Sequence, residues 1–487
     1  MARSRTTGRC TNKRAEAHRR SAMTQDMKQT FDAMRAASLR AQTPPWSERA
    51  GRLERLRALV MDHRKEIAAA ISADFFNRPY QETELAEVFP AVEGINHALR
   101  HGRKWMRTQR RSTGLWFKPA SSRIMPQPLG VVGIVVPWNY PLNLAVGPMT
   151  AALAAGNRVM VKQSEFTPRF AELFATLVRA SFAEDEIAIV NGDAEAAREF
   201  TSLPFDHLLF TGSTAVGHHV MRAASENLTP VTLELGGKSP AIIGPDANFE
   251  KAVERILVGK TLNAGQTCIA PDYVLVPEGQ QQRFADSARR VFNAMYPDIA
   301  RNTDYTSIVS PRHFSRLQEL AALAQMEGAS AVPLSDMTPD AATRRFPPVL
   351  LTGIQDSMRV MKEEIFGPIL PVMTYGAIDE AIAYVNAHPR PLALYLFEKN
   401  GATIDRVMQQ TVAGGVSIND TLLHIAQDDL PFGGVGASGM GAYHGEHGFR
   451  TFSKMKPIFH QSAFNGVGLF KPPYSKTFER MMKLLVR

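Results

Sequence analysis

The sequence predicts an α/β fold built on a doubly wound parallel sheet, and three observations predict it. Gly130-Val131-Val132-Gly133-Ile134-Val135-Val136 is a short, continuous apolar run rich in β-branched residues, the pattern of a strand covered on both faces by helices. Such runs alternate with helical stretches, which implies parallel strands joined by right-handed crossovers. Each strand then ends in polar or glycine-rich residues, and in an open α/β sheet ligands gather at those carboxyl ends.

The elements follow in order. Residues 25–39 and 47–74 carry apolar side chains at helical spacing (Leu53, Leu56, Leu59, Val60, Ile67, Ile71), with Pro44-Pro45 separating them. Residues 103–111 form a basic connection, and 117–128 read as an extended, Pro-punctuated arm. Pro137-Trp138-Asn139-Tyr140-Pro141 ends the 130–136 strand; a helix over 144–155 follows, with Gly156 past its end, then a strand over 158–162. A strand over 207–210, a helix over 214–224 and a strand over 231–235 repeat the alternation.

Composition agrees with a soluble enzyme of two or more domains: 487 residues, 44% hydrophobic and 21% charged. Two cysteines, Cys10 and Cys268, cannot organise the fold through disulfides and fit a reducing, cytoplasmic location. No apolar run approaches the roughly 20 residues needed to cross a bilayer. Most of the formal net charge of +9 sits in residues 1–22, where Arg3, Arg5, Arg9, Lys13, Arg14, Arg19 and Arg20 face only Glu16. The rest of the chain therefore does not demand a nucleic acid. The basic segment reads as a disordered or artefactual extension, with a targeting peptide or nucleic-acid arm as alternatives.

Several residues invite chemistry. Gly212-Ser213-Thr214-Ala215-Val216-Gly217 places small residues at a helix N-terminus, where free N–H groups and the helix dipole favour phosphate; it also suits a plain strand-to-helix turn. Lys162 and Glu165 end a strand with a cation and a carboxylate suited to ribose hydroxyls, or with a solvated pair. Cys268, in Asn263-Ala264-Gly265-Gln266-Thr267-Cys268, is a candidate nucleophile or an inert buried thiol. Glu234 is a candidate base or a structural carboxylate. The histidines show no metal-ligand spacing; His218-His219 diverge by about 100° on a helix, so no metal is expected. His444 stays outside the catalytic set, a structural hydrogen bond being as good an account of it.

The order of motifs resembles the aldehyde dehydrogenase family from about Phe31 through Lys454. Pro137-Trp138-Asn139, Lys162-Gln163-Ser164-Glu165, Phe210-Thr211-Gly212-Ser213, Glu234-Leu235-Gly236-Gly237-Lys238, Gly265-Gln266-Thr267-Cys268 and Glu363-Glu364-Ile365-Phe366-Gly367-Pro368 carry it. The segment 431–445 is similar to the class 3 and fatty-aldehyde branch. Residues 427–430, 71–75 and 84–88 look most like bacterial coniferyl aldehyde dehydrogenases. Gln163 departs from the proline common at its place, and Asn77-Arg78-Pro79 sits in a variable one.

The resemblance implies an aldehyde dehydrogenase-like fold: a Rossmann-type NAD(P)-binding domain (23–116 and 130–235), an α/β catalytic domain (236–445), a small oligomerisation β-arm (117–129 and 446–462) and a tail (463–487). It implies that Cys268 attacks the aldehyde, that the Asn139 amide and the Cys268 N–H hold the oxyanion, and that Glu234 readies water for a thioester. Retention of Glu234 implies water rather than coenzyme A as acyl acceptor. Trp138, Lys162, Glu165, the 212–217 turn, Glu364 and Phe366 would bind the cofactor, NAD ahead of NADP because Glu165 would repel a 2′-phosphate.

Substrate follows the finer resemblance: coniferyl aldehyde or a related aromatic aldehyde, with a medium- or long-chain aliphatic aldehyde as alternative. Trp138, Tyr140 and Tyr443 are aromatic candidates for its pocket, or ordinary packing. A non-catalytic binding protein on the same fold is the competing class. Strand 452–459 resembles the family's oligomerisation strand, which implies a homodimer through the arm; residues 477–487 form an amphipathic pattern for which no membrane anchor is expected.

Overall fold

The computed structural model describes residues 25–466, 468 and 471–486; the basic extension 1–22 and Cys10 lie outside them. The first sheet runs, edge to edge, Gly439–Met440, Val231–Glu234, His207–Thr211, Val131–Val135, Arg158–Lys162, Ile187–Val190. All neighbours are parallel except the first pair. The chain lays down Val131–Val135 first, builds outward to Ile187–Val190, then returns to the other side with His207–Thr211. That reversal, between Val131–Val135 and His207–Thr211, opens the crevice expected of a doubly wound sheet.

Every residue of Val131–Val135, Arg158–Lys162 and His207–Thr211 is buried, which is why these strands read as unbroken apolar runs. Helix Asn143–Ala155 covers one face and is buried along nearly its whole length; Gly156, at φ +97°, closes it. A second sheet orders Ser330–Pro333, Val349–Thr352, Ile369–Tyr375, Tyr273–Pro277, Pro240–Ile243, Ala393–Phe397 and Gly415–Ile418, parallel except at its first pair. A third, antiparallel sheet joins Gln109–Arg111, Ser121–Pro128 and Ser453–His460.

Local differences from the sequence expectation have identifiable causes. The stretch 47–74 is two helices, Trp46–Asp62 and Arg64–Asp74, broken at His63 (φ −109°, ψ 12°). The apolar phase continues across the break, so periodicity alone hid it. The basic connection ends helix Phe89–Trp105 and then forms strand Gln109–Arg111. The arm is a strand only from Ser121; Leu115–Phe117 is a 3₁₀ turn. Helix Lys476–Leu485 forms with no residue buried, and Tyr474, Phe478 and Met482 share a shallow apolar groove with Trp116 and Phe117. Among the described residues no helix is long and apolar enough to cross a membrane.

Candidate active site

Cys268 follows a turn that ordinary helical geometry could not make. Helix Phe249–Thr261 stops, and Asn263, Ala264 and Gly265 take φ of +51°, +50° and +74° in succession. Such left-handed residues are costly outside glycine and persist where surroundings fix them. Here Gln266 fixes them: its amide donates to Asn263 O (2.9 Å) and Ser307 O (3.1 Å) and accepts from Val309 N (2.9 Å). Cys268 itself is half-buried among buried neighbours.

Glu234 ends strand Val231–Glu234 and is 2% exposed, and neither carboxylate oxygen has a hydrogen-bond partner. Burial holds its pKa well above the usual carboxylate range. Strand Gly439–Met440 lies beside it, with Gly439 opposite Glu234. Gly439 has φ +143°, and a Cβ there would strike Leu233 O. An unpaired buried carboxyl is expensive, and in a cleft it marks a proton-transfer group.

The third member, Asn139, is 2% exposed and lies past the end of Val131–Val135. Its Nδ2 donates to Gln266 O at 3.1 Å, which engages one of two amide hydrogens. The structure thus ties Asn139 to the loop that carries Cys268. Tyr140 does the same, its hydroxyl 2.6 Å from Thr267 Oγ1.

Glu364, expected to hold ribose, lies near enough to Cys268 for its charge to act on the thiol. It accepts a hydrogen bond from Gly237 N, and a Cβ on Gly236 would collide with its carboxylate. Burial, then Asp272, push Glu364 up to about 8. Burial first, then Glu364 and Glu234, push the Cys268 thiol up to about 12. Below pH 8 Glu364 is neutral and leaves the thiol alone; above it the carboxylate opposes the thiolate. Glu364→Gln should therefore speed iodoacetamide alkylation of Cys268 several-fold at pH 9 and little at pH 7, read by mass spectrometry. No change at pH 9 would separate the two groups.

The segment 363–366 is clamped by residues to which the sequence analysis assigns no role. Lys238 Nζ bonds to Asp272, to Val360 O (2.8 Å) and to Glu363 O (3.1 Å). Arg316 Nη2 donates to Glu364 O (3.0 Å) and Ile365 O (2.6 Å). Phe366, at φ +49°, packs edge-on against Trp138 with ring centroids 5.3 Å apart, and Trp138 in turn meets His313 and Phe75. Trp138 therefore belongs to the Phe366 wall. Tyr140, Tyr443 and Tyr395 lie close enough to Cys268 to feel its charge. Tyr395, whose hydroxyl donates to Ile269 O, was hidden in a buried apolar strand.

A dinucleotide fits the remaining residues. Helix Thr214–Ser225 begins with Ser213 as its cap, the Ser213 hydroxyl accepting from Val216 N at 3.4 Å, and Ser213, Ala215 and Val216 are exposed around the open N–H groups. Gly212 and Gly217 keep this turn tight: a Cβ would meet the Phe210 ring or Leu235. Lys162 is 1% exposed, and its Nζ donates to Gln163 O (2.6 Å) and Gly192 O (2.8 Å), while Glu165 stands exposed at the same strand end. Phosphate at the helix N-terminus and ribose beyond the strand ends is what such geometry accommodates. His218 and His219 are both exposed, and His444 is half-buried with its ring stacked on Phe432.

The model of the aldehyde dehydrogenase family matches residues 8–458. The chain belongs to that family. It is 50% identical over 458 residues to a probable coniferyl aldehyde dehydrogenase of Pseudomonas aeruginosa, covering 94% of this chain and 96% of that protein. A coniferyl aldehyde dehydrogenase of Pseudomonas sp. strain HR199 is 44% identical, with 94% and 95% covered. A substrate-bound AldH structure from Staphylococcus aureus superposes with a TM-score of 0.89 at 38% identity, covering 94% of this chain and 99% of that one. This aldehyde dehydrogenase is an oxidoreductase that uses a nicotinamide cofactor.

Proposed function

We propose that this aldehyde dehydrogenase converts an aromatic aldehyde of the coniferyl type to its carboxylate, with Cys268 as nucleophile, Asn139 in the oxyanion hole and Glu234 as base. The buried Glu234 carboxyl, without any hydrogen-bond partner, is the observation that carries this reading. Cys268 passes its thiol proton to water, and the thiolate forms an S–C bond to the carbonyl carbon as the C=O π bond opens; the new oxyanion takes hydrogen bonds from the free amide hydrogen of Asn139 and from the Cys268 N–H. The bound nicotinamide supplies the acceptor for the hydride that leaves the adduct carbon. Glu234 then takes a proton from the water that hydrolyses the Cys268 thioester. Trp138, Lys162, Glu165, the 212–217 turn, Glu364 and Phe366 hold the cofactor.

Coniferyl aldehyde is favoured by the names of the relatives above. NAD is favoured over NADP because Glu165 would face the 2′ position, while two of the three Lys162 donors are already spent on carbonyls. The test is kcat/KM for coniferaldehyde, benzaldehyde and decanal with NAD and with NADP. The expected order puts coniferaldehyde with NAD first by about tenfold or more. Decanal ahead of both aromatics would move the assignment to aliphatic aldehydes, and no NAD(P)H with any of them would leave a binding protein.

A homodimer is supported by strand Ser453–His460, an edge of the three-stranded sheet whose outer side is open to a second copy. Cytoplasmic residence is supported by the scarcity of cysteine.

A further inference from the structure

Arg78 is fully charged chemistry placed where water cannot reach: its side chain is 0% exposed. It stands in the turn between helix Arg64–Asp74 and the short helix Tyr80–Thr83. Nη1 donates both to Glu87 Oε1 and to Asn139 O, each at 3.0 Å. Nε lies 3.3 Å from Glu82 Oε1, and the guanidinium sits 4.8 Å from the Tyr140 ring centroid and 5.3 Å from that of Phe75.

The same ionic group reaches further along the segment. Glu87 Oε2 accepts from Leu142 N (2.7 Å) and Asn143 N (3.1 Å), so Arg78 and Glu87 together hold residues 139 to 143. A π-helical turn, Glu84–Val88, carries Glu87 to that position. From the other side Asn263 Nδ2 also donates to Asn139 O (3.0 Å) and to Gln266 O (3.1 Å), the carbonyl that accepts the Asn139 amide. Glu82, for its part, accepts from Thr306 Oγ1 at 2.8 Å.

Stability alone is a poor reason for this arrangement. Burying one guanidinium with two carboxylates carries a desolvation penalty that close contacts only roughly offset, and apolar packing of equal volume often serves as well. What apolar packing cannot do is fix a carbonyl oxygen in two directions at once. Arg78 Nη1 and Asn263 Nδ2 together can, each donating to Asn139 O at 3.0 Å, and the planar Arg78 fork shares that Nη1 with Glu87. We infer that Arg78 is a positioning residue for the oxyanion hole: by gripping the Asn139 carbonyl it sets where the Asn139 amide points relative to Cys268.

The inference rests on the proposed role of Asn139, and its test separates the two. Carbonyl attack needs the hole, whereas alkylation of the thiol by iodoacetamide does not. Arg78→Lys keeps the charge that Glu82 and Glu87 require but loses the fork. It should slow formation of the acetyl-enzyme from p-nitrophenyl acetate by about 10- to 100-fold, as expected for a misplaced group. It should lower kcat for aldehyde oxidation similarly, with KM within about threefold, while Cys268 alkylation stays within about twofold of wild type. Asn139→Ala should show the same split, and the double variant should be no worse than Asn139→Ala alone. Acylation by Asn139→Ala at the wild-type rate would remove the hole assignment and this inference with it. Loss in Asn139→Ala with normal acylation in Arg78→Lys would overturn the inference alone. Parallel loss of acylation and alkylation in Arg78→Lys, with a lowered melting temperature, would assign Arg78 to the fold and overturn it too.

Discussion

Cys268→Ala is expected to abolish aldehyde oxidation, lowering kcat by about 10⁴-fold or more, the scale seen when a covalent nucleophile is removed. Both the NAD(P)H burst and the acyl-enzyme should vanish together, because the thiohemiacetal is the species from which hydride departs. Absorbance at 340 nm reads the first, and intact-protein mass spectrometry the second. The fold should tolerate the change: Cys268 is half-buried at the mouth of a loop held by Gln266, Asn139 and Asn263, none of whose hydrogen bonds use the sulfur. A residual burst in Cys268→Ala would reassign the nucleophile.

Glu234→Gln is expected to do the opposite of Cys268→Ala on the first turnover and resemble it thereafter. Hydride transfer should proceed, giving one equivalent of NAD(P)H, and steady-state turnover should fall by about 10²–10⁴-fold as thioester hydrolysis loses its base. The same substitution should also flatten the pH dependence of stability. The folded pKa of Glu234 is raised, so its favourable contribution is fully present below the unfolded value of about 4.3 and is lost as pH rises toward the folded pKa. Wild-type melting temperature should thus decline relative to Glu234→Gln as pH climbs from 5 to 8. The variant, with no carboxyl to ionise in the unfolded chain, should lose less stability over that pH range than wild type. Equal melting temperatures across that range would mean that Glu234 has a partner in solution.

Much of this was readable in the sequence, for reasons specific to each residue. The central strands of the first sheet are buried on both faces, so their apolar runs were unambiguous, and their ends fell within one residue of the expected bounds. Glu234 ends such a run, Asn139 follows one, and with Cys268 they stand in motifs of fixed order, so resemblance could propose roles for them. The clamp residues could not be named this way. Arg316 reaches Glu364 O through a contact 48 residues apart and Arg78 reaches Asn139 O across 61, both to backbone carbonyls. Backbone acceptors are the same at every residue and leave no pattern in the sequence. Glu364 was placed with the cofactor, and its approach to the thiol emerges only once Gly236 and Gly237 are seen to leave it room. The helix break at His63 was invisible because the apolar stripe keeps its phase through it.

The pairing of Gly439–Met440 with Val231–Glu234 has a bearing on how the enzyme is made. Residues emerge from the ribosome in order, so the nucleophile and the strand carrying the base are both exposed long before the segment that walls them in exists. Gly439 sits opposite Glu234 and against Leu233 O, so that side of the carboxyl's strand is closed by a later segment. The strand that ends in Glu234 thus completes its sheet only with a partner made long after it.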